Sequence, residues 1–139
     1  GRVNIELSRM KVESISNNDY VNLSPEATVM AGIRKCLESN KSEGYCVDEE
    51  NKFRGKFQLV DIVEVEKNER LIDHCLADPI KLSAANSVAE AVEIASNFVG
   101  GSMPVITNSD GYLLGVVTEA DIFSAYVEVH NKTSHIEHV

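Results

Sequence analysis

The chain has 139 residues, of which 43% are apolar and 25% charged, the balance of a soluble globule with room for one domain or two small packed halves. No apolar run reaches the roughly 18 residues of a membrane span, and no signal-peptide pattern opens the chain. The 22 acidic against 13 basic residues and the net charge of −9 argue against nucleic acid or an anionic membrane as partner, since both reward a basic patch.

Val3, Ile5 and Leu7 alternate in a leading segment, and Met10, Val12 and Ile15 predict a short turn docked on the core. Val21-Asn22-Leu23 predicts a strand closed by Ser24-Pro25. Thr28 reads as a helix N-cap. Val29, Ile33, Cys36 and Leu37 follow at helical spacing, and Asn40 to Gly44 ends that helix. Tyr45-Cys46-Val47 predicts a buried strand, residues 48–52 a charged turn, and residues 53–57 the hairpin partner. A helix is expected from about Gln58, with Val60, Ile62 and Val63 on its apolar side. Residues 64–69 are a charged run, read as a solvated link between halves. Leu71, Ile72, Cys75 and Leu76 predict a short amphipathic turn that Pro79 stops.

The second half repeats this order. Ile80-Lys81-Leu82 predicts a strand, and Ser87-Val88-Ala89-Glu90 a capping box at the head of a helix. Val88, Val92, Ala95 and Val99 form its expected buried stripe, and Gly100-Gly101 its end. Residues 103–106 predict a strand, Asn108-Ser109-Asp110-Gly111 a hairpin turn, and residues 112–117 the return strand. Residues 119–129 predict the closing helix. The register of the repetition is steady. Leu23 and Leu82, Thr28 and Ser87, and Tyr45 and Pro104 are each 59 residues apart, whereas Gly55 and Gly115, and Asp61 and Asp121, are 60 apart. Self-similarity at this period means one supersecondary unit used twice, each copy burying the other's apolar face. The expected fold class is α+β, two β-α-β-β-α repeats packed as a pseudo-two-fold pair with sheets inside and helices outside.

Cys36, Cys46 and Cys75 show no CxxC spacing and read as reduced buried thiols. They form no metal spacing with His74, His130, His135 and His138, so no metal site is expected. No nucleophile–base pair, GxSxG or P-loop is present, so no catalytic residue is expected and the chain does not read as an enzyme.

The chemistry concentrates at the last strand-to-helix junction, Gly115-Val116-Val117-Thr118-Glu119-Ala120-Asp121. Gly115 permits close backbone approach. A helix N-terminus favours a phosphate, and Asp121 can accept from two vicinal hydroxyls, which suits a ribose. The same Thr-x-x-Asp pattern is also a helix cap that needs no ligand.

The order of elements, with Pro104-Val105-Ile106, Asp110-Gly111 and Gly-x-x-Thr-x-x-Asp in the second copy, resembles the CBS domain, named from cystathionine β-synthase, used twice as in the Bateman module. The resemblance covers about residues 12–126. It implies the following layout. Residues 1–19 are a leading segment from an upstream, membrane-embedded part. Residues 20–66 are the first repeat, 67–79 a linker and docking turn, 80–129 the second repeat, and 130–139 a flexible tail. It also implies an adenine-type ligand (AMP, ADP, ATP or adenosine, magnesium-bound if a triphosphate) with no required cofactor. Thr118 and Asp121 would meet Val21, Asn22 and Leu23, with Gly44 and Tyr45 nearby; Tyr45 replaces the usual proline and could stack on a purine or lie in the core. A weaker second site would use Gln58 and Asp61 with Ile80, Lys81, Leu82, Met103 and Pro104. Gln58 is a poor cap and would crowd a phosphate. Ligand binding would shift the angle between the halves.

Asp121-Ile122-Phe123-Ser124-Ala125-Tyr126 and the leading segment are similar to the cytosolic tails of bacterial CLC-type chloride channels or chloride/proton antiporters. The CBS resemblance implies a homodimer, formed through the outer helices at residues 29–37 and 88–99 with the closing helices, and the CLC resemblance implies a place on the cytosolic face of a larger membrane protein. Gly1 in place of a starting Met fits an excised fragment. A magnesium transporter, a free-standing CBS protein, and a dimerisation scaffold without ligand are the alternatives.

Overall fold

The computed structural model describes residues 1–98 and 100–137. Val99, expected in the buried stripe, and His138 lie outside them. The fold is mixed α+β, with two three-stranded sheets and five α-helices among the described residues. The chain forms two compact units. One holds residues 19–79 and 109–113; the other holds residues 1–18, 80–108 and the chain from 114 onward.

In the first of these units, β1 (Val21–Leu23), β2 (Glu43–Val47) and β3 (Phe53–Gln58) make a sheet in that order. β1 runs parallel to β2, and β2 antiparallel to β3. The crossover from β1 to β2 is α2 (Val29–Ser39). The amides of its first three residues, orphaned by the helix itself, are satisfied, and the fourth makes the first bond of the ladder. Val29 and Met30 donate to the carbonyls of Glu69 and Lys67, Ala31 donates to the Thr28 hydroxyl, and Gly32 donates to the Thr28 carbonyl. The charged run 64–69, expected to be merely solvated, therefore supplies two of the caps. Asn40, with φ at 54°, closes the helix in the left-handed region. Val21, Val29, Cys36, Cys46, Phe57, Ile62 and Leu71 form the core. Gly44 belongs to that core as a vacancy for its neighbours: a Cβ there would stand 2.5 Å from the Phe57 ring and 2.9 Å from Val21.

α3 (Leu59–Ile62) is a single turn, too short to carry the apolar side predicted for it. Ile62 is buried, but Val60 is 77% exposed and Val63 is exposed as well.

In the other unit, β4 (Leu82–Ser83), β5 (Ser102–Ile106) and β6 (Leu113–Thr118) form a sheet in that order, although Leu113 itself belongs to the first unit. β4 is parallel to β5 and pairs Leu82 with Val105. Ile80 and Lys81 precede the strand that was expected to begin with them. α4 (Val88–Ala95) opens with the complete capping box of Ser87 and Glu90. It ends at Ala95, and its buried residues are Val88 and Ala91 rather than the predicted stripe; Val92 is exposed.

Two further corrections concern the ends of the chain. The leading segment is a helix, α1 (Arg2–Arg9), not an alternating stretch. Val3, Leu7 and Met10 recur at three- and four-residue steps, a helical period hidden beneath the alternation of Val3, Ile5 and Leu7. α5 (Glu119–Glu137) continues through the stretch expected as a tail. The two corrections share a cause, because Leu7 of α1 packs in one cluster with Val88, Ala125 and Val129, giving the extended α5 a face to bury.

The internal repeat is longer than the sequence alone suggests. A 3-10 turn at Val12–Ile15 and another at Leu71–His74 are 59 residues apart. Val12 donates to the Asn86 carbonyl at 2.9 Å, and Leu71 to the Ala27 carbonyl at 2.8 Å. Bridges join Lys11 to Ser87 and Arg70 to Thr28, then Asn17 to Val116 and Leu76 to Lys56. Each turn precedes one repeat in sequence and packs on the other.

Candidate functional site

β6 delivers the β-branched pair Val116-Val117 into the interior and ends on Thr118, where the chain turns directly into α5. The Thr118 hydroxyl accepts from the Asp121 amide at 3.2 Å. The Asp121 carboxylate reaches back to accept from the Thr118 amide at 2.8 Å and from its hydroxyl at 2.9 Å. This is a reciprocal cap, so the sequence pattern does start the helix. A third donor, the Asn17 side-chain amide, lies 2.8 Å from the same carboxylate. All three of these bonds use Oδ2, and both Thr118 and Asp121 are half-buried.

Asn17 is a member of this network that the sequence pattern did not point to. It is held beside the junction by two backbone hydrogen bonds to Val116, each 2.9 Å. Gly115 makes room for it: a Cβ at 115 would stand 2.9 Å from the Asn17 carbonyl oxygen. The signal was available in the repeat, since Asn17 is the counterpart of Leu76 at the same spacing as the other pairs.

The other predicted contacts of this site, Val21, Asn22, Leu23, Gly44 and Tyr45, belong to the unit built on residues 19–79. There Val21 pairs with Gly44 and Asn22 with Tyr45 across the parallel ladder. Asn22 is exposed, whereas the Val21 and Leu23 side chains pack in or against the core. Tyr45 is fully buried, edge-on to Tyr20 at 5.7 Å and tilted against Phe53 at 6.1 Å. Its ring is core, which closes the option of stacking on a purine. Next to it, Lys56 and Glu43 form a buried ion pair at 3.5 Å. Burial pulls the Lys56 ammonium below the usual lysine range, and Glu43 opposes that pull.

At the equivalent junction of the first repeat, Gln58 precedes α3 without capping it through its side chain, and Asp61 is exposed. Gln58 and Asp61 line a cavity of about 380 Å3 with Asp73, His74 and Cys75. The remaining residues predicted for the second site lie in the other unit. Leu82 and Met103 are buried in its core, Pro104 is buried, and Ile80 and Lys81 are exposed. A larger groove of about 670 Å3 runs between α1 and α5, past Arg9, Glu128 and Lys132, and contains none of the predicted residues.

Residues 72–128 match the CBS domain family. No curated protein matches the chain. Among solved structures, the CBS pair domain of a putative Mg2+ transporter from Shewanella oneidensis superposes with a TM-score of 0.78 at 25% identity, covering 93% of this chain and 79% of that one. A CBS domain pair/ACT domain protein from Thermotoga maritima gives 0.76 at 19% identity, with 86% and 98% covered. CBSX2 in complex with AMP gives 0.75 at 13% identity, with 87% and 98% covered.

Proposed function

We propose, for a chain that carries a CBS domain at residues 72–128 and has the fold of a CBS domain pair, that it is a regulatory module which binds an adenine nucleotide through Thr118 and Asp121. The observation that supports this most directly is the state of the Asp121 carboxylate. Three donors fix it through Oδ2, and Oδ1, outside these three bonds, is the acceptor the proposal assigns to vicinal hydroxyls. It stands at the N-terminus of a 19-residue helix, where the axial dipole favours a phosphate. AMP bound to a protein of the same fold supports the ligand class. The contributions of Val21, Asn22, Leu23 and Gly44 are proposed on the sequence resemblance, through their backbone groups.

The host in this proposal is a membrane ion transporter with the module on its cytosolic face. The sequence features at Asp121 to Tyr126 support a chloride channel. The 25% identity to the CBS pair of a putative Mg2+ transporter supports a magnesium transporter as the second reading. A homodimer through the helices is part of the proposal, supported by exposed Leu37 on α2, Val92 on α4, and Phe123 and Tyr126 on α5.

Thermal shift and calorimetry against AMP, ADP, ATP, adenosine and Mg2+ test the ligand. A nucleotide at 100 times its Kd adds about 2.7 kcal/mol to stability. Asp121→Asn keeps an oxygen for the cap while removing the charge, so it should weaken binding at least tenfold with the fold retained; Asp61→Ala should change binding little. Absence of a shift with every ligand would leave a dimerisation scaffold as the reading.

A further inference from the structure

Cys46 and Cys75 lie in one unit, with their sulfurs 3.4 Å apart. Cys46 sits in β2 paired with Gly55 of β3. Cys75 follows the 3-10 turn Leu71–His74 and lies directly over that pair: a Cβ at position 55 would stand 2.7 Å from the Cys75 Cβ. Two backbone hydrogen bonds between Lys56 and Leu76, at 3.0 and 2.8 Å, hold the crossing segment down. The fold does not require sulfur here. The counterparts in the other repeat are Val105 and Ser16, and Ser16 likewise lies against the glycine at 115.

We propose that Cys46 and Cys75 are a reversible redox pair, converted by a peroxide to an intramolecular disulfide that fastens the segment 71–76 to the sheet. Closure from 3.4 Å to the about 2 Å of a disulfide brings the sulfurs together by about 1.4 Å. Cys46 is fully buried, but Cys75 is half-buried and lines the 380 Å3 cavity, so a small peroxide reaches the pair there. The hydrogen bond between the two sulfurs lowers the Cys46 thiol from its ordinary value, and the same bond, with burial, raises Cys75. One of the two sulfurs, as its thiolate, attacks one peroxide oxygen; an S–O bond forms, the O–O bond breaks, and the departing hydroxide leaves as water with a proton. The second sulfur attacks the sulfenic sulfur; the S–S bond forms, the S–O bond breaks, and a second water departs carrying the remaining thiol proton. Two thiols and one peroxide thus give one disulfide and two waters. A small dithiol returns the pair by exchange, itself becoming a disulfide.

The test is peptide mapping of the full chain after hydrogen peroxide, under non-reducing conditions. The expected result is an intact mass lower by about 2 Da, as two thiol hydrogens leave. A single cross-linked peptide pair should contain Cys46 and Cys75, with Cys36 still alkylatable after denaturation, and dithiothreitol should reverse the change. Cys36→Ser should behave identically. The proposal is overturned if all three cysteines remain alkylatable, if only oxygen adducts accumulate, or if the bond joins Cys36 or a second chain.

Discussion

Replacing Asp121 by Ala removes the acceptor of three hydrogen bonds, from the Thr118 amide, the Thr118 hydroxyl and the Asn17 side chain. Hydrogen bonds to a charged group contribute about 1.5–3 kcal/mol each when buried, and a helix cap about 1 kcal/mol. Here the carboxylate is half-buried, so solvent takes up part of the loss, and the Thr118 hydroxyl still accepts from the amide at 121. The expected cost is about 2–3 kcal/mol, or a Tm lower by about 6–10 °C for a chain of this size. Asp61→Ala is the internal control. It occupies the same position in the other repeat, but it is exposed and its neighbour Gln58 makes no side-chain cap, so its loss should stay within about 0.5 kcal/mol. Urea denaturation without ligand measures both. A double-mutant cycle with Asn17→Ala should return a coupling of about 1 kcal/mol, because the two side chains share one bond. Equal losses at the two aspartates, or zero coupling, would refute the assignment of this network.

Three further outcomes are expected. The Ser87 amide and hydroxyl hold the Glu90 carboxyl below the usual glutamate range; a depressed folded pKa gives stability that is present above the ordinary glutamate value and lost as pH falls through the folded one. The stability gap between wild type and Glu90→Ala should therefore be open at neutral pH and closed in acid, and a gap independent of pH would argue against the capping box. Lys56→Met should cost about 3 kcal/mol by removing the ion-pair cation from the buried Glu43 carboxylate, and Lys56→Met combined with Glu43→Leu should recover most of it in the same denaturation assay. Gly44→Ala should cost about 2 kcal/mol by overpacking against the Phe57 ring, 2.5 Å from the new Cβ, with partial recovery when Phe57→Leu is added.

The fold is legible in sequence wherever one short stretch carries the whole of its physics. The caps at Thr28 and Ser87 and the turn at Asp110-Gly111 needed only their own neighbours, and each is in place. The repeated order of strand, helix, strand, strand and helix is present in full. The failures lie where a partner distant in sequence decides. Leu7 becomes helical and buried because α5 extends to meet it, and no window around Leu7 contains that fact. The Asp121 carboxylate was legible, but its third donor was not, since Asn17 is brought there from 104 residues away. Tyr45 left two options open in sequence; its burial among Tyr20, Phe53 and Lys56 decided for the core.

The two junctions share one plan and have diverged in chemistry. In both, a 3-10 turn leads a short crossing segment over a glycine of the last strand, and an aspartate stands one turn into the following helix. In the second repeat the crossing segment brings Ser16 and Asn17, and the aspartate is drawn into a polar network. In the first repeat it brings Cys75 and Leu76, and the aspartate is left at the edge of a cavity. Duplication supplies the frame twice, so neither junction has to keep the other's side chains. This also locates how a ligand at Asp121 would be felt. The carboxylate proposed to meet the nucleotide is the same one that tethers Asn17, and Asn17 belongs to the segment that leads into the first repeat. A nucleotide can bias that tether only by the difference in its affinity for the tethered and released arrangements. Asn17→Ala should therefore change nucleotide affinity as well as stability, and a variant that loses stability with unchanged affinity would separate the tether from the site.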